Sequence, residues 1–95
     1  MIVQIRVFIQ PTLSPCAREA AKSMYEEAKK NIENEQKDVE IKTMYWPINS
    51  AEARTLGVYQ VGTLFIEEKQ VLEGYYSRYH IESELRKYIN AKRNV

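Results

Sequence analysis

Residues 2–9 place Val3, Ile5, Val7 and Ile9 on one side of an extended chain and Gln4, Arg6 and Phe8 on the other, the period of a strand with one better-buried face. Pro11, Thr12, Ser14 and Pro15 follow directly, and Pro15 suits the first turn of a helix, where its missing N–H costs nothing. Cys16, Ala17, Ala20, Ala21, Met24, Tyr25, Ala28 and Ile32 then recur at spacings of three and four, which predicts a long helix with one continuous packed stripe. Its wet side carries Arg18, Glu19, Lys22, Glu26, Lys29 and Lys30, with Arg18 and Lys22 as like-charge neighbours and Glu26 and Lys30 as a favourable pair.

Residues 31–38 are polar and lack periodicity in their second half. Val39, Ile41, Thr43 and Tyr45 then alternate with Glu40, Lys42 and Met44, predicting a second strand that Pro47 ends. Asn49 or Ser50 can cap a short helix through Leu56, with Gly57 as its left-handed stop. Leu64, Phe65 and Ile66 predict a third strand, Glu67, Glu68 and Lys69 a polar turn, and Val71 and Leu72 the hairpin partner. After Gly74, Ser77 is a cap for a last helix on which Ile81, Leu85, Tyr88 and Ile89 repeat, up to the charged end Lys92 and Arg93. The resulting order, β-α-β-α-β-β-α, implies an α/β domain with a four-stranded mixed sheet flanked by three helices.

Length and charge narrow the function classes. A chain of 95 residues supports one core and one domain, spanning residues 1–95. Fourteen Lys and Arg against thirteen Asp and Glu leave a net charge of +1, so no global field draws the chain to nucleic acid or anionic lipid. No apolar run approaches a membrane span, and the first ten residues alternate too regularly for a signal peptide, so the expected location is cytoplasmic. The single cysteine, Cys16, excludes an internal disulfide and a Cys-based metal cage, and no cofactor is expected. Tyr75, Tyr76 and Tyr79 beside Arg78 and His80 could stack on bases, but without an RNA-binding strand motif they read better as aromatics covering the edge of the core. His80 stands at a helix start with no nucleophile and carboxylate placed beside it, and Trp46 before Pro47 covers the end of the second strand.

Two junctions carry a resemblance. Pro11-Thr12-Leu13-Ser14-Pro15-Cys16 resembles the P-T-C-x-P-C or P-T-C-P-x-C segment of small thioredoxins and glutaredoxins, and Leu56-Gly57-Val58-Tyr59-Gln60-Val61-Gly62-Thr63-Leu64 resembles their Y-G-V-x-x-V-P-T-L. The likeness continues through the hairpin, Gly74 and the last helix, covering essentially the whole chain. It implies a thioredoxin-like fold with its site where the first helix begins, beside the loop before the third strand.

The departures from that pattern bear on chemistry. Thiol–disulfide exchange starts with a thiolate at the first cysteine of the pair, and Leu13 stands there. Cys16 matches the second, resolving cysteine, so a two-cysteine cycle is impossible. Gly62 replaces the family's cis-proline, and without proline the Val61–Gly62 bond is expected to be trans, since a cis bond costs ~2.5–4 kcal/mol. Val7 aligns with the carboxylate that assists proton transfer in thioredoxins proper. The resemblance thus implies a domain with a degenerate active site, leaning away from enzymatic activity.

Cys16 admits two readings. It can be a reactive thiol at a helix start, forming a mixed disulfide or a glutathione adduct; that makes the chain a single-cysteine redox protein. The residue pattern favours the plainer reading, a small apolar side chain packed on the stripe with Ala20 and Met24. The family's substrate groove would be lined by Thr12, Leu13, Ser14, Val61, Gly62, Gly74 and Tyr75, an apolar shelf suited to a protein or peptide partner or to a second copy of the chain. A decayed enzyme is a third reading, in which Leu13→Cys with Gly62→Pro restores exchange.

Overall fold

The computed structural model describes residues 1–11 and 14–94. Its elements are β1 (Ile2–Ile9), α1 (Pro15–Glu35), β2 (Glu40–Pro47), α2 (Ala51–Leu56), β3 (Leu64–Ile66), β4 (Lys69–Leu72) and α3 (Arg78–Arg93), in the order the hydrophobic periods predict. The four strands form one mixed sheet in the order β2-β1-β3-β4. β1 pairs parallel with β2, placing Val3 opposite Ile41, and antiparallel with β3, which closes a hairpin with β4.

Strand alternation sends Val3, Ile5 and Val7 to one face, where they join Ile41, Leu64 and Ile66 beneath Tyr25, Ala28 and Ile32 of α1 and Ile81, Leu85 and Ile89 of α3. α1 and α3 therefore cover the same face. The other face holds a smaller cluster of Phe8, Ala53, Val58 and Phe65, with Trp46 and Ile48 against it. Ser50 caps α2 by accepting from the Ala53 amide at 3.2 Å, and Gly57 ends it in the left-handed region at φ 71°.

A polar seam joins the two long helices. Glu27 pairs with Arg78 at 2.7 Å, Asn31 donates to Glu82 at 3.0 Å, and Glu35 accepts from Arg86 at 2.9 Å. Partners advance by one helical turn on both sides at once, so α1 and α3 run parallel. Glu82 is only 5% exposed, and Arg78, Arg86 and Asn31 surround its carboxylate. This seam explains why α1 continues to Glu35 through the polar stretch that begins at Asn31. Asn31 and Glu35 lose the apolar period because their partners across the seam are polar.

Three further differences separate sequence pattern from structure. The hairpin turn is Glu67 and Glu68 alone, with Lys69 already in β4. Glu67 takes φ 55°, uncommon without glycine, and β1 holds it there: its amide donates to the Gln4 carbonyl at 2.9 Å and its carboxylate accepts from the Gln4 amide at 3.0 Å. Glu26 turns to β2 rather than to Lys30, accepting from the Thr43 hydroxyl at 2.9 Å and the Tyr45 phenol at 2.7 Å. Finally, the predicted stripe of α1 is packed only from its middle onward, because residues 14–20 are all exposed. Ala21 and Met24 line one cavity with Phe8 and Ile9, and Arg18 and Lys22 line another with Ile9, Tyr45 and Pro47, so the start of α1 borders the ends of β1 and β2 without being covered there.

Candidate functional site

The loop before β3 and the loop after β4 meet at two glycines. Gly62 has φ 90°, its amide donates to the Phe8 carbonyl at 2.9 Å, and a Cβ placed on it would stand 2.6 Å from the Gly74 carbonyl oxygen. Both the backbone conformation and the close approach exclude any larger residue. Gly74, at φ 79°, is the other half of this contact.

Beneath the contact runs a chain of phenols. The Tyr76 hydroxyl donates to the Gly62 carbonyl at 2.6 Å, which leaves its oxygen to accept from the Tyr25 hydroxyl at 2.7 Å. Tyr25 belongs to α1 and Tyr76 precedes α3, so two side chains clamp the Gly62 loop to both helices. Their rings meet edge-on at 6.2 Å. Burial pushes both phenols above their ordinary range, and both stay protonated as hydrogen-bond donors. The sequence signals for this clamp are the spacing that puts Tyr25 on the packed side of α1 and the reading of Tyr76 as an aromatic at the core edge; nothing in the sequence pairs the two.

Above the clamp, Val61, Gly62, Gly74 and Tyr75 line one cavity of about 260 Å³ together with Tyr25 and Gln60. Tyr75 is fully exposed, Val61 is 42% exposed, and neighbouring Tyr59 is 89% exposed. A second, mostly apolar cavity of about 260 Å³ shares Tyr25, Val61 and Gly62 with the first and continues over Ala21 and Met24 to Ile9 and Gln10. A third, of about 230 Å³, shares Ile9 and Gln10 with the second and ends among Arg18, Lys22, Tyr45 and Pro47. Through these shared residues the three are neighbours in a furrowed stretch of surface at the end of β1.

Four of the residues expected to line a groove, Val61, Gly62, Gly74 and Tyr75, are thus brought together. Ser14 lines none of these cavities; it is exposed and caps α1, accepting from the Ala17 amide at 3.3 Å. Thr12 and Leu13 lie outside the described residues. The peptide bonds among the described residues are all trans, Val61–Gly62 included, as the absence of proline implies.

Cys16 is a correction: it is exposed, not packed on the stripe. Small side chains at helical spacing signal which face they share but cannot compel burial, and here the larger Tyr25 and Ile32 of the same stripe occupy the core. A second correction concerns Gly62→Pro. Proline cannot adopt φ 90° and has no N–H to give the Phe8 carbonyl, so that substitution would break the loop rather than rebuild an exchange site.

The tyrosines after Gly74 also separate. Tyr76 covers the core edge, whereas Tyr75 and Tyr79 project outward, Tyr79 with the Arg78 guanidinium 4.7 Å from its ring centre. His80 is exposed and its Nδ1 accepts from the Ser77 amide at 3.1 Å, a helix-start role. Among the described residues no group of three or more His, Cys, Asp or Glu could hold a metal ion, and no helix is long and apolar enough to cross a membrane.

Comparison with protein-family models, with curated proteins and with solved structures finds no match to this chain.

Proposed function

We propose that the chain is a thioredoxin-like domain that binds protein or peptide through this furrow without dithiol turnover. The observation that carries the reading is the cavity formed where Val61 and Gly62 meet Gly74 and Tyr75, with an exposed aromatic and an exposed aliphatic side chain at its rim. Aromatics of this kind contribute large contact area at low entropic cost. The resemblance at the two junctions and the β-α-β-α-β-β-α order support the family assignment, and Leu13 in place of the attacking cysteine supports the absence of turnover. The test is amide chemical-shift perturbation with an extended, leucine-containing peptide. Shifts confined to Val61, Gly62, Gly74, Tyr75 and their neighbours are expected, with Val61→Asp weakening binding; shifts elsewhere, or binding indifferent to Val61→Asp, would remove the reading.

The exposure of Cys16 favours a second reading, a single-cysteine redox protein. Its thiolate would attack an external disulfide, such as oxidised glutathione, forming the mixed disulfide and releasing one thiol. An exposed thiol reacts with disulfide reagents under either reading, so reactivity alone does not separate them. Cys16→Ser does: unchanged peptide binding supports the binding module, and loss of partner capture supports the redox protein.

A further inference from the structure

We infer that the furrow ends in a carboxylate-binding cavity, so that the peptide it takes carries an acidic residue; this rests on the binding reading above. Six arginines are present. Arg78, Arg86 and Arg93 pair with carboxylates, Arg6 donates to the Glu67 carbonyl at 2.8 Å, and Arg54 donates to the Asn49 carbonyl at 3.2 Å. Arg18 alone has no ion pair or side-chain hydrogen bond among the described residues. It lines the cavity with Lys22, one turn further along α1, which is likewise without a carboxylate partner among them.

Like charges at this spacing repel on a helix surface, and a bound anion between them reverses that cost. Lys22 is held in place by the ring of Tyr45, 5.1 Å from its ammonium, while the Tyr45 hydroxyl is spent on Glu26 and does not compete. Gln10 adds an amide at the same wall. The remaining lining, Ile9, Pro11 and Pro47, is apolar and suits the methylenes of an acidic side chain better than a fully hydrated ion. A planar carboxylate matches the guanidinium fork, and because Ile9 and Gln10 also line the neighbouring cavity that holds Val61, an extended chain is the carrier that can reach both.

The test uses the full chain and synthetic extended peptides with one leucine anchor and one Glu scanned along the other positions, each with a Gln counterpart, followed by fluorescence anisotropy. At one Glu position the affinity should exceed that of the Gln peptide about tenfold, fall with added salt, and lose its advantage in Arg18→Gln/Lys22→Gln. Equal affinities for Glu and Gln peptides at every position, both weakened by Val61→Asp, overturn the acidic-residue inference and leave the furrow reading standing. If no peptide binds, the furrow reading falls and sodium acetate titration decides the cavity by itself. Amide shifts at Gln10 and Lys22 that the double variant abolishes support a carboxylate site, and their absence overturns it. Inorganic phosphate displacing the Glu peptide at lower concentration than acetate assigns the cavity to phosphoryl groups and overturns the carboxylate.

Discussion

The two halves of α1 are built from the same kinds of residue and meet different fates. From Tyr25 onward its inner side is buried under the sheet's main core and its flank is tied to α3 by Glu27–Arg78, Asn31–Glu82 and Glu35–Arg86. Before Ala21 every residue from 14 to 20 is exposed, and Arg18 stands without a partner among the described residues. Both halves are amphipathic by sequence. The difference is that one half finds large apolar neighbours and a second helix of matching charge, and the other only borders an open cavity at the ends of β1 and β2. A half-helix buried on one side and tied along its flank to a second helix is a strut; one with small exposed side chains and an arginine beside an open cavity is a surface for something else.

The comparison breaks most readily at Ile32. Truncation to alanine in the packed half should cost about 2–5 kcal/mol by chemical denaturation, since the side chain is fully buried and the cavity cannot refill. If Ile32→Ala proves nearly neutral, the packed half is not the strut described. Gly62→Ala, at the border of the furrow, should destabilise by about 2 kcal/mol, combining left-handed strain with the Gly74 carbonyl contact. Denaturant midpoints indistinguishable from wild type would mean that the two loops do not touch in solution. Glu82→Ala should cost about 1–3 kcal/mol, because it strips a buried acceptor from Asn31 and two arginines. A Glu82→Gln variant that recovers most of the loss would show that hydrogen bonding, rather than charge, holds the seam.

Acid sharpens the same contrast. The hydrogen bonds from Arg86 to Glu35 and from Arg93 to Asp38 hold those carboxyls below the usual range. A carboxyl with a lowered folded pKa contributes stability that is fully present above its unfolded value, about 4, and is lost as pH falls through the lower folded value. Thermal unfolding midpoints should therefore decline on acidification below about pH 4, with a shallower decline in Arg86→Gln/Arg93→Gln. Parallel acid profiles for the two proteins would remove these pairs from the account. The smallest effect is expected in the other half of the helix, where Arg18→Gln should leave stability unchanged or raise it by about 0.2–0.5 kcal/mol through relief of repulsion with Lys22. A clear loss of stability would reveal a partner for Arg18 within the chain.

Legibility followed the strength of local signals. All seven elements, their order and the caps Ser50, Gly57 and Ser77 could be read because strand and helix periods and capping chemistry act within a few residues. The core of α3 was equally plain, since Ile81, Leu85 and Ile89 have no reason other than burial to share a face. The convergence of Val61, Gly62, Gly74 and Tyr75 was reachable only through the family resemblance, because these residues lie on different loops. Arg18 and Lys22 are legible as repelling neighbours on one helix, but the cavity they share with Gln10 and Tyr45 joins α1 to the ends of β1 and β2. Glu82 gave no sign of its burial; a charged residue in a charged helix is ordinarily wet.

The order of residues by itself settled what each stretch of chain is, because hydrogen-bonding geometry and side-chain periodicity answer to near neighbours. It also settled that only one thiol exists, and hence that no dithiol can form within the chain. Only the tertiary structure decided which small residues of α1 are covered, that Cys16 is open to solvent, and that the Tyr76 hydroxyl fastens the Gly62 loop. Those outcomes depend on where the sheet ends and on which distant side chains arrive to pair, and burial is a property of the whole packing rather than of any segment.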